Sequence, residues 1–254
     1  MIDEPSRYQA FWRVQHHRTD NDVVLARVPT WLAETMQGLF RTAMLSRITA
    51  HLGGRELAHA LDLGCGVGDW TLGYLGFARR VTGVDINETF LGVARRRAAA
   101  LGVDARASFE AAALEAFPVA SDIDFVGLGA CLMYVPDVRV NRLLAKVAGG
   151  MQNGGFVYVR STVMAPLRRR QTTAFGVYRC KEEYETLFRC NGFSVLDCAY
   201  SSGVVADFVG AGISHSGARR LATRSLDAVA RLGRAAKNHT EYYNWLLCRS
   251  PGGE

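Results

Sequence analysis

Residues 61–70 read Leu-Asp-Leu-Gly-Cys-Gly-Val-Gly-Asp-Trp and place three glycines at alternate positions between an apolar strand and a helix. A tight strand-to-helix turn needs such residues, because glycine adopts positive φ and lets a ligand approach the backbone without meeting a Cβ. The free N–H groups at the start of the helix attract a negative group, either a phosphate or a carboxylate. The stretch therefore predicts a ligand-binding turn at the end of a strand.

The spacing of these glycines bears on the kind of ligand. A dinucleotide-binding turn has the pattern GxGxxG, which counted from Gly64 requires glycine where this chain has Asp69. An acid facing a pyrophosphate would repel it, whereas a ligand with both an ammonium and a carboxylate can use the acids and the N–H groups. The pattern disfavours a nicotinamide or flavin dinucleotide.

An acid also ends the next predicted strand, in the segment VTGVDIN at residues 81–87. In a βαβ unit, an acid roughly twenty residues after the glycine turn emerges beside that turn and can accept hydrogen bonds from both hydroxyls of a ribose. Asp85 is therefore the strongest single candidate for a ligand-binding side chain. The alternative is a surface Asp that caps the following helix.

Short apolar runs alternate with helical patterns over most of the chain, which predicts a parallel sheet with helices on its faces. The predicted strands are 58–63, 80–85, 105–110, 123–128, 155–160, 193–200 and 242–248, and the predicted helices are 69–77, 88–100, 138–151 and 181–190.

The chain has 254 residues, enough for one large α/β domain but short for two. Residues 1–56 are predicted to be a helical extension that folds over the site as a lid, with a helical pattern from Tyr8 and Thr30 as a helix N-cap. Residues 57–254 form the main domain. Within it, 201–239 is predicted to be an insertion on the ligand side, made of a glycine-rich stretch and a basic helix.

Composition excludes several classes of protein. The six cysteines are scattered without a CxxC pair, so neither a disulfide framework nor a metal site is expected. The sequence lacks a signal-peptide pattern and an apolar run of membrane-spanning length, which predicts a cytoplasmic protein with no membrane partner. The net charge of +6 is concentrated in the second half, so an anionic substrate or surface would be attracted there.

Four motifs of the chain resemble those of the class I, seven-stranded methyltransferases that use S-adenosylmethionine. They are LDLGCGVGDWT from residue 61, VTGVDIN from 81, DIDFVGLGACLMYVPD from 122 and LLAKVAGGMQNGGFVYVRS from 143. The resemblance implies a three-layer α/β sandwich with a mostly parallel seven-stranded sheet whose last strand is antiparallel. It also implies S-adenosylmethionine as cofactor and S-adenosylhomocysteine as product.

The resemblance further implies which residues hold the cofactor. The methionine part would be lined by Gly64, Gly66 and Gly68, with Asp62 near its amino group. The ribose would be held by Asp85, the adenine face would contact Ile86, and the adenine edge would be bordered by Ala112, Ala113 and Leu114. The sulfonium would lie beside Gly127, Leu128 and Gly129. Many family members carry an acid at the position of Ala113. Glu110 or Glu115 could substitute for it.

The methyl acceptor is expected to be a small molecule that receives the methyl on oxygen or nitrogen, such as an anionic sugar or a natural-product intermediate. Tyr178, Arg168 and Arg179 are candidates for binding it. His215, in the predicted insertion, and Tyr134, after a short apolar run, are the first candidates for the catalytic base. The other candidate bases are His16, His17, His239, Asp137 and Tyr178.

Three other functions stay open. The basic second half, with Trp12 and Tyr8 as stacking groups, would also suit an RNA methyltransferase. The end of the fourth predicted strand, GLGA at 127–130, lacks the Asn/Asp-Pro-Pro-Tyr type of motif, which disfavours a base-flipping DNA enzyme. A regulatory protein that binds the cofactor without turnover is the second alternative, and a dehydrogenase is the third.

Overall fold

The structure of the protein is a computed structural model, which describes residues 10, 12, 30–164, 170–173, 176–201, 204–205 and 240–250. The elements in chain order are α1 Thr30–Leu52, β1 Leu57–Leu63, α2 Asp69–Tyr74, β2 Ala78–Asp85, α3 Glu88–Ala100, β3 Ala107–Ala111, β4 Phe125–Gly129, a 3-10 turn Leu132–Tyr134, α4 Asp137–Gly150, β5 Phe156–Met164, β6 Gln171–Thr172, β7 Val177–Tyr178, α5 Lys181–Cys190, β8 Phe193–Tyr200 and β9 Thr240–Arg249.

Seven strands form one sheet in the order β3-β2-β1-β4-β5-β9-β8. Its strands are parallel except β9, which pairs antiparallel with both β5 and β8. The chain moves outward from β1 in one direction through β2 and β3, and in the other through β4 and β5, so the order switches beside β1. Ligands of open α/β sheets bind at the carboxyl ends of the strands next to such a switch.

Each face of the sheet has its own core. On one face α1, α2 and α3 cover a core that includes Ile48, Tyr74 and Tyr158, all fully buried. On the other face α4 and α5 cover a core that includes Leu128 and Trp245. Helices on both faces explain why the parallel strands are nearly continuous apolar runs.

The predicted sheet is confirmed, including its antiparallel last strand. Two helices and one strand have the predicted bounds: α3, α5 and β8. The helix predicted for 69–77 ends at Tyr74, because the backbone of Phe77 turns to bond with Leu57 of β1. The strand predicted for 155–160 continues to Met164, because β9 pairs with it over nine residues.

Other features fall outside the sequence-based prediction. The short β6–β7 hairpin was not predicted, since each of its strands has only two residues. The described part of the predicted N-terminal helical segment is α1, which begins at Thr30, with Ala10 and Trp12 ahead of it. The predicted insertion and its basic helix lie almost wholly outside the described residues.

An ionic contact fixes α1 to the far edge of the sheet. Arg47 on α1 donates two hydrogen bonds to the carboxylate of Asp197 on β8, one of them 2.8 Å long from Nη2 to Oδ1. His51, one turn later, lies 3.2 Å from the same carboxylate. The Arg47 guanidinium holds the pKa of Asp197 below its ordinary value, so the carboxylate is ionised at neutral pH.

We expect Asp197→Asn to lower the free energy of unfolding by about 1.5–3 kcal/mol at neutral pH, as for other charged hydrogen bonds that are partly buried. Because the pKa of Asp197 is lowered in the folded state, this contribution is lost only as the pH falls into the acid range. Urea unfolding would measure it. Glu56→Gln, which removes the exposed ion pair with Arg79, is the matched control and should cost clearly less, because solvent screens exposed charges. Equal losses in both variants would contradict the prediction.

Candidate functional site

The glycine turn between β1 and α2 has the backbone that its sequence predicts. Gly64, Gly66 and Gly68 have φ of 81°, 54° and 81°, a region that side chains with a Cβ rarely occupy. A Cβ on Gly68 would lie 2.8 Å from the Cβ of Ala94 on α3. The glycines therefore allow both the left-handed turn and the close packing of α2 against α3.

Asp85, at the end of β2, is joined directly to that turn. Its Oδ2 accepts a hydrogen bond of 2.9 Å from the Gly66 N–H, and its Oδ1 accepts one of 2.9 Å from the Asn87 N–H. Burial raises the pKa of Asp85, while these backbone donors act in the opposite direction. Each oxygen has a second lone pair, so the carboxylate can still accept bonds from a ligand such as a ribose.

Asp62, near the end of β1, is a second buried acid at the same edge of the sheet. Its Oδ2 accepts a hydrogen bond of 2.6 Å from the hydroxyl of Thr71 on α2. Burial raises the pKa of Asp62 to about 7. An acid in this state gains from a positively charged partner, because a nearby cation favours its ionised form.

Strand β4 passes close to Asp62 at Gly127, where the Tyr74 and Asp62 side chains fill the space that a larger residue would need. A Cβ added to Gly127 would be 2.5 Å from the Tyr74 hydroxyl and 2.9 Å from Asp62 Oδ1. The Tyr74 hydroxyl is fully buried and has no hydrogen-bond partner in the described part of the chain. A buried polar atom of this kind normally has a partner, so the site has unused hydrogen-bonding capacity for a water or a ligand group.

The end of β4 is open and strained. A Cβ added to Gly129 would meet no atom of the described residues within 4 Å. The next residue, Ala130, has a positive φ of 61°, a conformation that costs an L residue about 1–2 kcal/mol. Its N–H is held by the carbonyl of Arg160 on β5 at 2.7 Å. The predicted residue Leu128 contributes only its backbone here, because its side chain is buried in the core of the opposite face.

The residues predicted for the adenine lie beside Asp85. Ile86 is partly exposed, and the N–H of Ala112 donates to the Asp85 carbonyl at 3.0 Å. A methyl group of Leu114 lies 3.7 Å from the Cβ position of Gly64. Leu114 therefore borders the glycine turn, Ile86 and Ala112 lie beside Asp85, and Ala113 is half-buried. Of the two substitute acids, Glu115 lies 3.8 Å from Arg139, and Glu110 is exposed.

Trp12 of the N-terminal segment contacts the same edge of the sheet. Its backbone carbonyl accepts a hydrogen bond of 2.8 Å from the Asn87 side chain, two residues after Asp85. Its ring packs edge-on against Tyr134, with 5.1 Å between the ring centroids. This placement agrees with the prediction that the N-terminal extension covers the site, and the extension as a whole stays a prediction.

Tyrosines gather beyond the end of β4. Burial raises the pKa of Tyr134 well above its ordinary value, and the nearby hydroxyls of Tyr242 and Tyr178 add to the effect. At neutral pH Tyr134 is therefore protonated, so its hydroxyl can donate a hydrogen bond but is poorly suited to remove a proton.

Arg179, predicted to bind the acceptor, has a different environment. Its side chain is fully buried and donates to Asp137 Oδ1 at 2.8 Å and to the carbonyls of Leu132 and Val135 at 2.9 and 2.7 Å. These bonds use all three guanidinium nitrogens to hold the chain after β4, so we no longer count Arg179 among the acceptor-binding residues. Asp137, a candidate base, is engaged by Arg170 as well, and its pKa is lowered.

Several predicted residues lie outside the described part of the chain, and their roles stay predictions. They are His16, His17, Arg168, His215 and His239.

Sequence reasoning missed two residues near the site. Thr71 carries no motif signal, because its contact with Asp62 arises only when α2 packs on β1. Arg160 did carry one: it is the single charged residue in the apolar strand β5, FVYVRSTVM. A charge in a buried strand usually has a partner or a function. The sequence alone therefore marks Arg160 as a candidate site residue.

The described residues contain no group of three or more His, Cys, Asp or Glu side chains that could hold a metal ion. None of the described helices is long and apolar enough to cross a membrane.

One family of known proteins matches part of this chain. Residues 60–155 match a family model described as a methyltransferase domain. None of the curated protein sequences matches the chain significantly.

Solved structures are similar to this chain at low sequence identity. The geranyl diphosphate C-methyltransferase from Streptomyces coelicolor A3(2), in complex with Mg²⁺, geranyl diphosphate and S-adenosylhomocysteine, has a TM-score of 0.60 at 15% identity, over 82% of this chain and 77% of that one. A putative sarcosine dimethylglycine methyltransferase from Galdieria sulphuraria has a TM-score of 0.60 at 15% identity, over 83% and 86%. The (4+2)-cyclase SpnF has a TM-score of 0.59 at 16% identity, over 82% and 81%.

The seven-stranded sheet, with β9 reversed between β5 and β8, is the fold of the class I methyltransferases. The matched methyltransferase domain covers the glycine turn, Asp85 and the end of β4. The chain therefore has the fold of the class I methyltransferases, and its residues 60–155 match a methyltransferase domain.

We expect the affinity for S-adenosylhomocysteine to rise about tenfold from pH 6 to pH 8, because an acid with a pKa of about 7 goes from about one-tenth to about nine-tenths ionised over that range. The affinity should rise with pH because the ionised form of Asp62 attracts the ammonium of the ligand. Calorimetric titration would measure it. Asp62→Asn keeps an acceptor for Thr71 but cannot ionise, so its affinity should be lower at pH 8 and nearly constant with pH. An equally steep pH dependence in Asp62→Asn would count against this role.

Proposed function

We propose that the chain transfers the methyl group of S-adenosylmethionine to an oxygen or nitrogen of a small molecule bound beyond the end of β4. The observation that carries this proposal is the space that the described residues leave open at Gly129, five residues before Tyr134, whose ring packs edge-on against Trp12. A site closed in by aromatic side chains favours a small acceptor over a nucleic acid. The rings favour an acceptor with a flat or largely apolar body.

The residues of the site fit the cofactor. Asp85 has lone pairs left for the ribose hydroxyls, and the left-handed turn at Gly64 to Gly68 lets a ligand lie against the backbone. Asp62 would supply a negative charge for the ammonium, and the buried Tyr74 hydroxyl beside it has no hydrogen-bond partner among the described residues. Ile86, Ala112, Ala113 and Leu114 would border the adenine.

When bound, the cofactor supplies a methyl group made electrophilic by the sulfonium. The acceptor's lone pair forms the new bond to the methyl carbon, the carbon–sulfur bond breaks, and its electron pair stays on sulfur. The protein's task is then to align the acceptor and to exclude water. The backbone at Gly129 and the strained Ala130 border the position where this alignment is needed.

Tyr134 positions the acceptor in this proposal. Its raised pKa keeps the hydroxyl protonated, so it donates a hydrogen bond to the acceptor and does not act as the base. The proton that an amine or hydroxyl acceptor loses would pass to another group, for which His215 is the proposed candidate, or to solvent. Methyl transfer has little obligatory acid–base chemistry, so a base adds to the rate without being essential.

That the acceptor is an anion is a separate and more specific proposal than methyl transfer to a small molecule. Two arginines of this region are engaged within the protein, Arg170 with Asp137 and Glu183, and Arg179 with Asp137. The proposal of an anion clamp therefore depends on Arg168.

The test is transfer of labelled methyl from S-adenosylmethionine to a panel of phenols, amines, carboxylic acids and sugar phosphates, with total RNA as a competing acceptor. We expect the label in the small-molecule fraction. Tyr134→Phe should lower kcat/KM by about 2- to 10-fold, the loss of one neutral hydrogen bond, and leave cofactor affinity unchanged. Tyr243→Phe, which removes a hydroxyl bonded to the Cys198 thiol in the opposite core, should leave both unchanged.

Label found only in RNA would replace this proposal with the nucleic-acid alternative. Cofactor binding without transfer to any acceptor would favour a regulatory protein.

A further inference from the structure

One buried arginine holds the 3-10 turn that carries Tyr134. Arg179 donates from Nη1 to the carbonyl of Leu132 at 2.9 Å and from Nη2 to the carbonyl of Val135 at 2.7 Å. The guanidinium therefore bonds to the backbone on both sides of Tyr134. Because its N–H donors have fixed directions in one plane, the two bonds set the orientation of the turn as well as its position.

The guanidinium is itself fixed by three neighbouring elements. Its Nε donates to Oδ1 of Asp137, the first residue of α4, at 2.8 Å. Its carbon lies 5.5 Å from the ring centroid of Tyr184 on α5, and the Tyr184 hydroxyl bonds to Ser161 of β5 at 2.7 Å. The Arg179 carbonyl accepts a hydrogen bond of 2.9 Å from the N–H of Met164, the last residue of β5. Arg179 thus ties the turn to α4, α5 and β5.

Stability alone does not account for a charge at this place. The side chain of Arg179 is 0% exposed, whereas that of its partner Asp137 is 37% exposed. Removing a guanidinium from water is costly, and a buried ion pair is often no more stable than apolar side chains of similar volume. An apolar side chain, however, could not bond to the two carbonyls of the turn. The contact therefore indicates selection of one backbone arrangement.

The turn is also packed closely on its other sides. The hydroxyl of Thr162 on β5 donates to the sulfur of Met133 at 3.5 Å. A Cβ added to Gly176, just ahead of β7, would lie 2.9 Å from the Met133 carbonyl. The ring of Trp12 packs edge-on against that of Tyr134. A turn confined in this way gives the Tyr134 ring one defined position, provided that its backbone stays bonded to Arg179.

We propose that Arg179 is a positioning residue for the methyl acceptor, which fixes the turn so that Tyr134 keeps one place beside the acceptor. Arg179 acts through Tyr134 and does not contact the acceptor itself, since its three nitrogens are engaged within the protein. The inference rests on the proposed function, because that function places the acceptor beside Tyr134.

A second arginine binds the same acid but has different partners. Arg170 lies 2.5 Å from Asp137 Oδ2 and 3.5 Å from Glu183 Oε1. These are contacts between side chains, whereas Arg179 bonds to the backbone of the turn. This difference assigns the positioning role to Arg179.

The first measurement needs no acceptor. The full chain is labelled with 3-fluorotyrosine, and Tyr134→Phe identifies the fluorine resonance of Tyr134. In Arg179→Lys a single ammonium cannot replace the planar set of donors, so this resonance should move or broaden. Its shift between H2O and D2O, which reports contact with water, should increase. Arg106→Lys changes an arginine that also donates to backbone carbonyls, those of Ala78 and Arg79 at the opposite edge of the sheet, and should leave the resonance unchanged.

The second measurement is a double-mutant cycle on methyl transfer, with the member of the acceptor panel that gives the highest kcat/KM. Arg179→Lys should lower kcat/KM by about 10- to 100-fold, as expected for a misplaced binding group, and leave the affinity for S-adenosylhomocysteine unchanged. Tyr134→Phe should cost about 2- to 10-fold in the wild type but less than about twofold in Arg179→Lys, because the hydroxyl is no longer in place. A merely structural role would leave the cost of Tyr134→Phe at its full size.

The outcomes separate this role from the function on which it rests. An unchanged Tyr134 resonance in Arg179→Lys, or an equal cost of Tyr134→Phe in both backgrounds, would overturn the role of Arg179 and leave methyl transfer intact. If Arg179→Lys does not fold, Asp137→Asn replaces it, since it removes the charge opposite Arg179 and should give the same changes at smaller size. A folded wild type that transfers no methyl group to any acceptor would overturn the proposed function, and the role of Arg179 with it.

Discussion

The hydrogen bond from the Gly66 N–H to the Asp85 carboxylate joins the two halves of the ligand site. It links the turn after β1 to the end of β2, and the N–H groups of Gly64 and Cys65 reinforce it by donating to the Val84 carbonyl at 2.7 and 3.0 Å. The turn can take this shape only because its glycines tolerate positive φ. Once it is fixed, α2 begins at Asp69 and brings Thr71 and Trp70 over the sheet, against Asp62 and Arg160.

Side chains of opposite charge lie along the carboxyl edge of the sheet. The buried Asp62 and the half-buried Asp85 are acids whose pKa values are raised, and Arg160 is a half-buried cation without an acid partner among the described residues. Such groups are unfavourable for stability alone, since burial disfavours each charge. A ligand that carries both signs of charge and two hydroxyls would compensate them together. These three side chains therefore suit a zwitterionic nucleoside as ligand.

The positions of Asp85 and the glycine turn, proposed to hold the cofactor, follow from the sequence, whereas the surroundings of the proposed acceptor residues do not. Asp85 and the glycine turn are local: each lies at the end of an apolar strand, so periodicity and one glycine pattern predict their positions. Arg179 shows the opposite case. From the sequence it looked like a surface cation near the acceptor, but packing of α5 and the chain after β4 buries it against Asp137 and two carbonyls. Tertiary contacts of this kind, like the strain at Ala130, leave no pattern in the neighbouring residues.

The most direct test of the central claim is the affinity for S-adenosylhomocysteine of the wild type and of Asp85→Ala, measured by calorimetry. Losing the ribose contacts removes charged hydrogen bonds, so the substitution should weaken binding by about 10- to 100-fold. Asp104→Ala, which changes an exposed acid ahead of β3, should bind like the wild type. Unchanged affinity in Asp85→Ala, or no binding by the folded wild type, would contradict the placement of the cofactor at this edge of the sheet.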